Sequence, residues 1–162
     1  MLQLAFIAIY SALLFWSAFE DIRSRTIPNA VIVALSILYV LYCVAGFASW
    51  TDGALGALLM FIPTFALFHF GFMGGGDTKL MTAIALWMGA KGVLAFCLIT
   101  SIAGGILALV FLIKKRRHEA ALQGTDQEAS ETPAIVLPYG VAIAAGGLAM
   151  IWIWQFVRLG VL

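Results

Sequence analysis

Charged side chains are scarce in this chain of 162 residues. Lysine, arginine, aspartate and glutamate make up 10% of it, while hydrophobic residues make up 64%. Ordinary globular chains carry roughly a quarter charged residues. This composition excludes an ordinary soluble domain and indicates that much of the surface faces lipid. The net charge of +1 and the lack of a basic stripe along any helix give no support to nucleic-acid binding.

Cysteine is rare as well. Cys43 and Cys97 lie in separate apolar runs and belong to no CxxC pair or Cys/His cluster. We therefore expect no structural zinc site, no other metal and no cofactor. Both thiols are expected to be buried in apolar surroundings, and the sequence leaves open whether they pair. An internal repeat is also lacking, so an inverted-repeat transporter finds no support.

Long apolar segments dominate what is present. Six of them can be counted, approximately over 2–19, 30–48, 54–70, 78–90, 93–113 and 138–157. The first can span a hydrocarbon core of about 30 Å at roughly 1.5 Å per residue. We expect it to be a retained transmembrane helix, since no positively charged region precedes it as in a signal peptide. The sequence predicts an all-α polytopic membrane protein with about six transmembrane helices.

The predicted domain organisation is a single membrane-embedded domain over 1–162. Between its last two apolar segments the chain is basic at first and then small, polar and acidic. Such a stretch has too little apolar surface to fold alone, so we expect a flexible cytoplasmic loop at about 114–136.

The basic residues predict the orientation of the chain. When the loops are assigned to alternating sides, seven of the nine fall on one side, namely Arg23, Arg25, Lys79 and Lys114 to Arg117. Because cytoplasmic loops are enriched in lysine and arginine, this side is predicted to be cytoplasmic, with both termini outside. Asp21 and Asp77 are separated by two spans, so both are expected at the cytoplasmic face.

These two aspartates are the candidate site. Asp77 ends a glycine run, Gly74 to Gly76, and Asp21 closes the first apolar segment. An ionisable group beside membrane-embedded backbone is costly, which favours a functional role. Two carboxylates in contact tend to share one proton. Such a pair suits peptide hydrolysis, since one acid can take a proton from water while the other donates to the carbonyl oxygen.

The residues around Asp77 have candidate roles in substrate approach. The glycines Gly74, Gly75 and Gly76 permit unusual backbone geometry and close approach, and could supply a docking edge for an extended substrate. Lys79 could tune the pair or contact substrate, and snorkelling to lipid headgroups is the competing interpretation. A wholly structural alternative also stays open, in which the acids cap helices or pair with nearby basic residues.

Other residues are expected to be structural. We expect Asp52 to cap the turn before the third segment. Small residues in the last two segments are expected to allow close helix packing; they are Gly104, Gly105, Gly140, Ala144, Gly146 and Gly147.

Three segments resemble one known family. Gly-Gly-Gly-Asp-Thr-Lys-Leu at 74–80 resembles the GxGD signature of membrane aspartyl proteases. Asp21 followed by Ile27-Pro28-Asn29 resembles the first-aspartate region of type IV prepilin peptidases. Leu-Pro-Tyr-Gly-Val-Ala-Ile-Ala at 137–144 resembles the last helix of their short Tad/Flp-pilus branch.

The resemblance implies a function and a location. It implies that Asp21 and Asp77 are the catalytic pair of an aspartic-type endopeptidase in the bacterial inner membrane. The implied substrate is a prepilin or pseudopilin with a basic leader and an apolar helix, cut at the cytoplasmic face. Larger members carry a region with paired CxxC motifs linked to N-methylation. Nothing in this sequence matches that region, so we expect cleavage without methylation.

Two other function classes remain as alternatives. One is a non-enzymatic small transporter or assembly subunit, for which acids near the bilayer midplane would be typical. The other is a presenilin-like intramembrane protease, which would cut deep within a span. The Ile-Pro-Asn match points away from the second. The sequence identifies neither the substrate nor the oligomeric state.

Overall fold

A computed structural model of the chain describes residues 1–122 and 139–158. The described part is all-α, which confirms the predicted fold class. Its helices are α1 (Leu2–Ser24), α2 (Asn29–Val44), α3 (Trp50–His69), α4 (Gly75–Leu122) and α5 (Tyr139–Arg158). Residues 137 and 138 of the last resembling segment, and 123–136 of the predicted loop, lie outside the described residues.

The helices have the length and composition of membrane spans. Four of them, α1, α3, α4 and α5, are long and apolar enough to cross a bilayer, and α2 is a shorter apolar helix. Large apolar side chains such as Leu58, Ile62 and Leu94 are exposed on the outside of the bundle. Such a surface suits lipid rather than water. The protein is therefore a polytopic membrane protein, as predicted.

The predicted count of about six helices is wrong, since the described residues form five. The expected segments 78–90 and 93–113 both belong to α4, which departs from helical geometry at Gly89 (φ 62°, ψ 175°). In a straight helix Asp77 and Gly105 would be about 42 Å apart, yet both line the same cavity. The two halves of α4 therefore turn back on each other at Gly89. A glycine makes this turn possible because it adopts positive φ without a steric penalty.

Asp52 holds this bend together. Its Oδ1 accepts a hydrogen bond of 3.2 Å from the backbone N–H of Ala90, the residue after Gly89. The expectation that Asp52 caps the turn before its own helix is therefore corrected, because the carboxylate caps the second half of α4. The two helices approach closely here. A Cβ on Gly56 of α3 would lie 2.7 Å from the carbonyl oxygen of Ala85 in α4.

Trp87 is the centre of the core next to the bend. Its ring centroid lies 4.7 Å from Tyr10 of α1, and 5.6 Å and 5.1 Å from Tyr39 and Tyr42 of α2. Its indole N–H donates a hydrogen bond of 3.2 Å to the carbonyl oxygen of Leu35. A buried indole N–H needs such a partner. These contacts join α1 and α2 to the first half of α4.

The second half of α4 is longer than the apolar pattern indicated. The helix continues to Leu122, so residues 114–122, expected in the flexible loop, are helical. Lysine, arginine, glutamate, alanine and leucine fill most of this stretch, and all are good helix formers. The low apolar content of residues 114–122 indicates that they form no hydrophobic core of their own. It does not prevent them from extending the helix that precedes them.

The two cysteines are unpaired. Cys43 is buried in α2 and Cys97 is half-buried in α4, and both thiols are free. The question that the sequence left open is thus answered for this structure, with Cys43 in the apolar surroundings that we expected.

Candidate active site

Asp21 lies near the end of α1 and is held by the start of α5. Its side chain is buried, with 6% of its surface exposed. Oδ2 accepts a hydrogen bond of 3.3 Å from the backbone N–H of Val141, and the N–H of Gly140 also interacts with the carboxyl group. The first N–H groups of a helix have no partner within it, so a carboxylate is favourable there. The start of α5 thus fixes the position of Asp21.

Gly140 is packed directly against this carboxyl group. A Cβ at residue 140 would lie 2.8 Å from both Cγ and Oδ2 of Asp21. Sequence reasoning assigned Gly140 to helix packing and missed its contact with the acid. The available signal was its place directly after Tyr139, in the first turn of α5.

Asp77 lies in the first turn of α4 and is half-buried. Its carboxyl group interacts with the backbone N–H of Gly74, one residue before the helix begins. A side chain that reaches back in this way is one half of a capping box. Asp77 also interacts electrostatically with Asp21. The structure therefore brings the two predicted acids to one place.

Both acids line one large cavity, here called the acid cavity, of about 1240 Å³. Its walls come from α1, α3, α5 and both halves of α4, with Met60, Thr64, Thr100 and Ile143 among the lining residues. Pockets for small molecules are typically about 300–1,000 Å³. The acid cavity is larger than that range, so it has room for a stretch of polypeptide.

The structural alternative for the acids is realised only in part. Each carboxyl group caps a helix start, as that alternative expected. Within residues 1–122 and 139–158, however, neither acid forms an ion pair with the neighbouring Arg23 or Lys79. A cap uses only part of the lone-pair capacity of a carboxylate, which leaves acceptor sites open to the cavity.

The glycine run allows close packing beside Asp77. Gly75 and Gly76 belong to the first turn of α4, and none of the three glycines has a positive φ. A Cβ on Gly76 would lie 3.3 Å from the Cβ of Ile27, and one on Gly75 would lie 3.2 Å from the ring of Phe68. The run lets the segment before α2 lie directly against the acid-bearing turn.

Lys79 is bonded to the same segment. Its Nζ donates a hydrogen bond of 3.2 Å to Oδ1 of Asn29, at an exposed position on the wall of the acid cavity. Arg25 lines the cavity too, at the C-cap of α1 with φ 55°. Neither Asn29 nor Arg25 was identified from the sequence as a cavity residue. The Ile-Pro-Asn motif was the available signal for Asn29.

Gly104 and Gly105 form one wall of the acid cavity. Among residues 1–122 and 139–158, a Cβ on Gly105 would have no neighbour within 4 Å, and one on Gly104 would have only the Cβ of Ala142, at 3.8 Å. Gly104 therefore lies against α5, as expected for helix packing, whereas Gly105 has no such neighbour among the described residues. Gly146 also serves helix packing, since a Cβ there would lie 3.1 Å from the Cβ of Thr100.

Comparison with known proteins gives a consistent set of similarities. A family model described as the type IV leader peptidase family matches residues 8–109. A prepilin leader peptidase/N-methyltransferase of Bacillus subtilis (strain 168) is 32% identical over 143 residues, which cover 86% of this chain and 52% of that protein. A protein of the same description from Aeromonas hydrophila is 23% identical over 146 residues, or 83% of this chain and 44% of that protein.

A third relative covers a shorter stretch. The prepilin leader peptidase/N-methyltransferase of Xanthomonas campestris pv. campestris is 36% identical over 81 residues, or 49% of this chain and 23% of that protein. The chain spans about half or less of the length of these curated relatives. No solved structure matches it.

Proposed function

The chain belongs to the type IV leader peptidase family, and we propose that it is a membrane aspartyl endopeptidase that cleaves the N-terminal leader of type IV, Flp-like prepilins. Asp21 and Asp77 are its proposed catalytic pair. The observation that carries this proposal is that both carboxyl groups line one cavity.

The proposed reaction needs one water molecule between the two acids. The ionised carboxylate takes a proton from this water, and the oxygen attacks the scissile carbonyl carbon. The protonated carboxyl group donates its proton to the carbonyl oxygen as the carbon becomes tetrahedral. As the intermediate collapses, one of its hydroxyl groups returns a proton to the carboxylate that had donated one, the C–N bond breaks, and the leaving amine receives the proton taken from water. The pair then again holds a single proton.

The form of the acid cavity supports a peptide substrate. A protease must bind its substrate with the scissile amide accessible, and a cavity of about 1240 Å³ has room for several residues. Gly104 and Gly105 leave part of the wall formed by the second half of α4 without side chains, although Thr100 and Ser101 of the same half also line the cavity. An apolar substrate helix next to the cleavage site could therefore approach α4 closely.

The distribution of basic residues supports a cytoplasmic active site. Arg25 and Lys79 line the acid cavity. Because α4 turns back at Gly89, its second half returns toward this end of the bundle before reaching the basic run 114–117. Positive residues collect on the cytoplasmic side of membrane proteins. On this basis both termini lie outside, and the leader is cut at the cytoplasmic face.

The test is processing of a prepilin by the full chain in nanodiscs. Asp21→Asn and Asp77→Asn should each lower the cleavage rate by at least about 100-fold, since acid–base catalysis contributes roughly 10²–10⁴-fold. Glu20→Gln is the matched control. It neutralises the acid next to Asp21, and Glu20 is not among the residues that line the acid cavity. Full activity of either asparagine variant would refute the dyad.

The position of the cut separates the alternatives. Mass spectrometry of the product should place the cut between the basic leader and the apolar segment, with an unmethylated new N-terminus. Cleavage deep within the apolar segment would instead support an intramembrane protease. A folded protein that binds prepilin and never cleaves it would support an assembly subunit.

A further inference from the structure

A second cavity, of about 360 Å³, lies at the end of the bundle opposite the acids. Gln3 at the start of α1 lines it, whereas Asp21 near the end of the same helix is roughly 27 Å away along the axis. The bend of α4 and the end of α5 complete its walls. Its volume lies within the range of about 300–1,000 Å³ that is typical of small-molecule sites. The proposed peptidase reaction makes no use of it.

Gln155 is the first sign that this cavity takes a ligand. Its side chain lines the cavity and is buried, with 9% of its surface exposed. None of the residues that the structure describes forms a hydrogen bond with it. Its amide is not among the buried polar atoms without a partner, which in the described residues are Ser17 Oγ and Thr100 Oγ1. The amide is therefore open to the cavity and free to bond a polar group there.

The polar groups around Gln155 offer acceptor oxygens. Gln3 donates through Nε2 to the hydroxyl of Tyr42 at 3.0 Å, which leaves Oε1 available. Asp52 uses Oδ1 to cap Ala90, which leaves Oδ2 available. With the amide oxygen of Gln155, three side chains can accept hydrogen bonds. Among the described residues that line this cavity there is no lysine, arginine or histidine, so Asp52 gives this described lining a negative charge.

Aromatic rings form the remaining wall. The ring centroid of Tyr42 lies 5.2 Å from that of Phe47 and 5.1 Å from that of Trp87, and all three residues line the cavity. The faces of such rings attract cations. The cavity thus combines a carboxylate, two amide oxygens and aromatic rings, which is the chemistry that binds an organic cation.

We propose that this second cavity binds a primary ammonium group, such as that of a phosphatidylethanolamine headgroup or a free alkylamine. A primary ammonium carries three N–H donors, which match the three acceptor side chains. A quaternary ammonium has no N–H donor and would use only the rings and the charge. An anionic headgroup is disfavoured by Asp52. The location at one end of a membrane bundle suits a lipid headgroup.

The test measures thermal unfolding of the full-length protein in nanodiscs of defined lipid. Nanodiscs of phosphatidylethanolamine with phosphatidylglycerol should give a higher unfolding temperature than nanodiscs in which phosphatidylcholine replaces the ethanolamine lipid. Free ethanolamine added to the phosphatidylcholine nanodiscs tells whether the bound ammonium group comes from a lipid headgroup or from a small amine. A shift with the lipid alone identifies a headgroup site, and a shift with free ethanolamine identifies a site for small amines. No difference in either arm overturns the proposal.

Two variants assign the effect to the cavity. Gln155→Leu breaks no hydrogen bond among the described residues and should reduce the lipid-dependent shift while leaving the protein folded. Asp52→Asn should weaken ethanolamine or headgroup binding by at least about tenfold, as expected for losing one charged hydrogen bond. Glu20→Gln removes a carboxylate elsewhere and should keep the full shift. If both cavity variants keep the full shift, the assignment is wrong.

Discussion

Replacing Gly140 by alanine should reduce catalysis without unfolding the protein. The new Cβ would lie 2.8 Å from Cγ of Asp21 and 3.1 Å from its Cβ. Carbon atoms in favourable contact are about 3.5–4.0 Å apart. The carboxyl group of Asp21 must therefore move by roughly 0.7–1 Å, away from the N–H groups at the start of α5 and out of line with Asp77.

The size of the effect follows from this displacement. A misplacement of about 1 Å can cost about 100-fold in rate, so kcat is expected to fall about 10- to 100-fold. The substrate-binding walls do not change, so KM should change little. Alanine is favoured over glycine in a helix by up to about 1 kcal/mol, which offsets part of the steric cost. The unfolding temperature should therefore stay close to that of the native protein.

The assay is steady-state cleavage of a prepilin in nanodiscs, with the unfolding temperature measured on the same samples. Ala145→Val is the matched control, because Ala145 lies on the exposed face of the same helix. Its added methyl groups face away from the acids, so its rate should equal that of the native protein. A native rate for Gly140→Ala, or an equal loss for Ala145→Val, would refute the argument that α5 positions Asp21.

Four further predictions concern the bend, its cap, the glycine run and the two thiols. Gly89→Ala should lower the free energy of unfolding by at least about 1–2 kcal/mol, because alanine resists φ 62° and its Cβ would press on Asp52; an unchanged melting curve would contradict the bend. Asp52→Ala should cost about 0.5–2 kcal/mol of stability through the lost cap, also measured by thermal unfolding. Gly76→Val should reduce prepilin cleavage, because its side chain would press on Ile27 beside Asp77. Gly105→Val is the control for stability, since its side chain would enter the acid cavity. Thiol labelling of the denatured, unreduced protein should modify both Cys43 and Cys97; a single labelled site or none would indicate a disulfide.

The broad fold followed from composition. Four helices have the length and apolarity of membrane spans, because apolar segments in a bilayer must satisfy their backbone hydrogen bonds internally. The helix count did not follow. A glycine within an apolar run can be a packing contact, a bend or a helix end, and only its neighbours in space decide which. At Gly89 the neighbour is Asp52, far away in sequence.

The two acids of the candidate site could be predicted from the sequence, because few residue types carry a charge in an apolar chain. A carboxylate is rare in an apolar chain, so Asp21 and Asp77 could be identified from their cost. The groups that position them could not be identified in this way. Gly140 and Val141 both interact with Asp21 through their backbone N–H groups, and Gly140 also leaves space by lacking a side chain. Neither role can be inferred from the residue type. Gly105 and Gly146 look alike in the sequence, since each is a glycine within an apolar segment. In the structure Gly105 faces the acid cavity, whereas Gly146 packs against α4.

The turn at Gly89 also bears on how the protein enters the membrane. A single residue joins the two halves of α4, with no hydrophilic loop between them to be translocated separately. The two halves can therefore insert together as a helical hairpin. Asp77 in one half and the glycine wall in the other would then be brought opposite each other by biogenesis itself, before α5 arrives to fix Asp21.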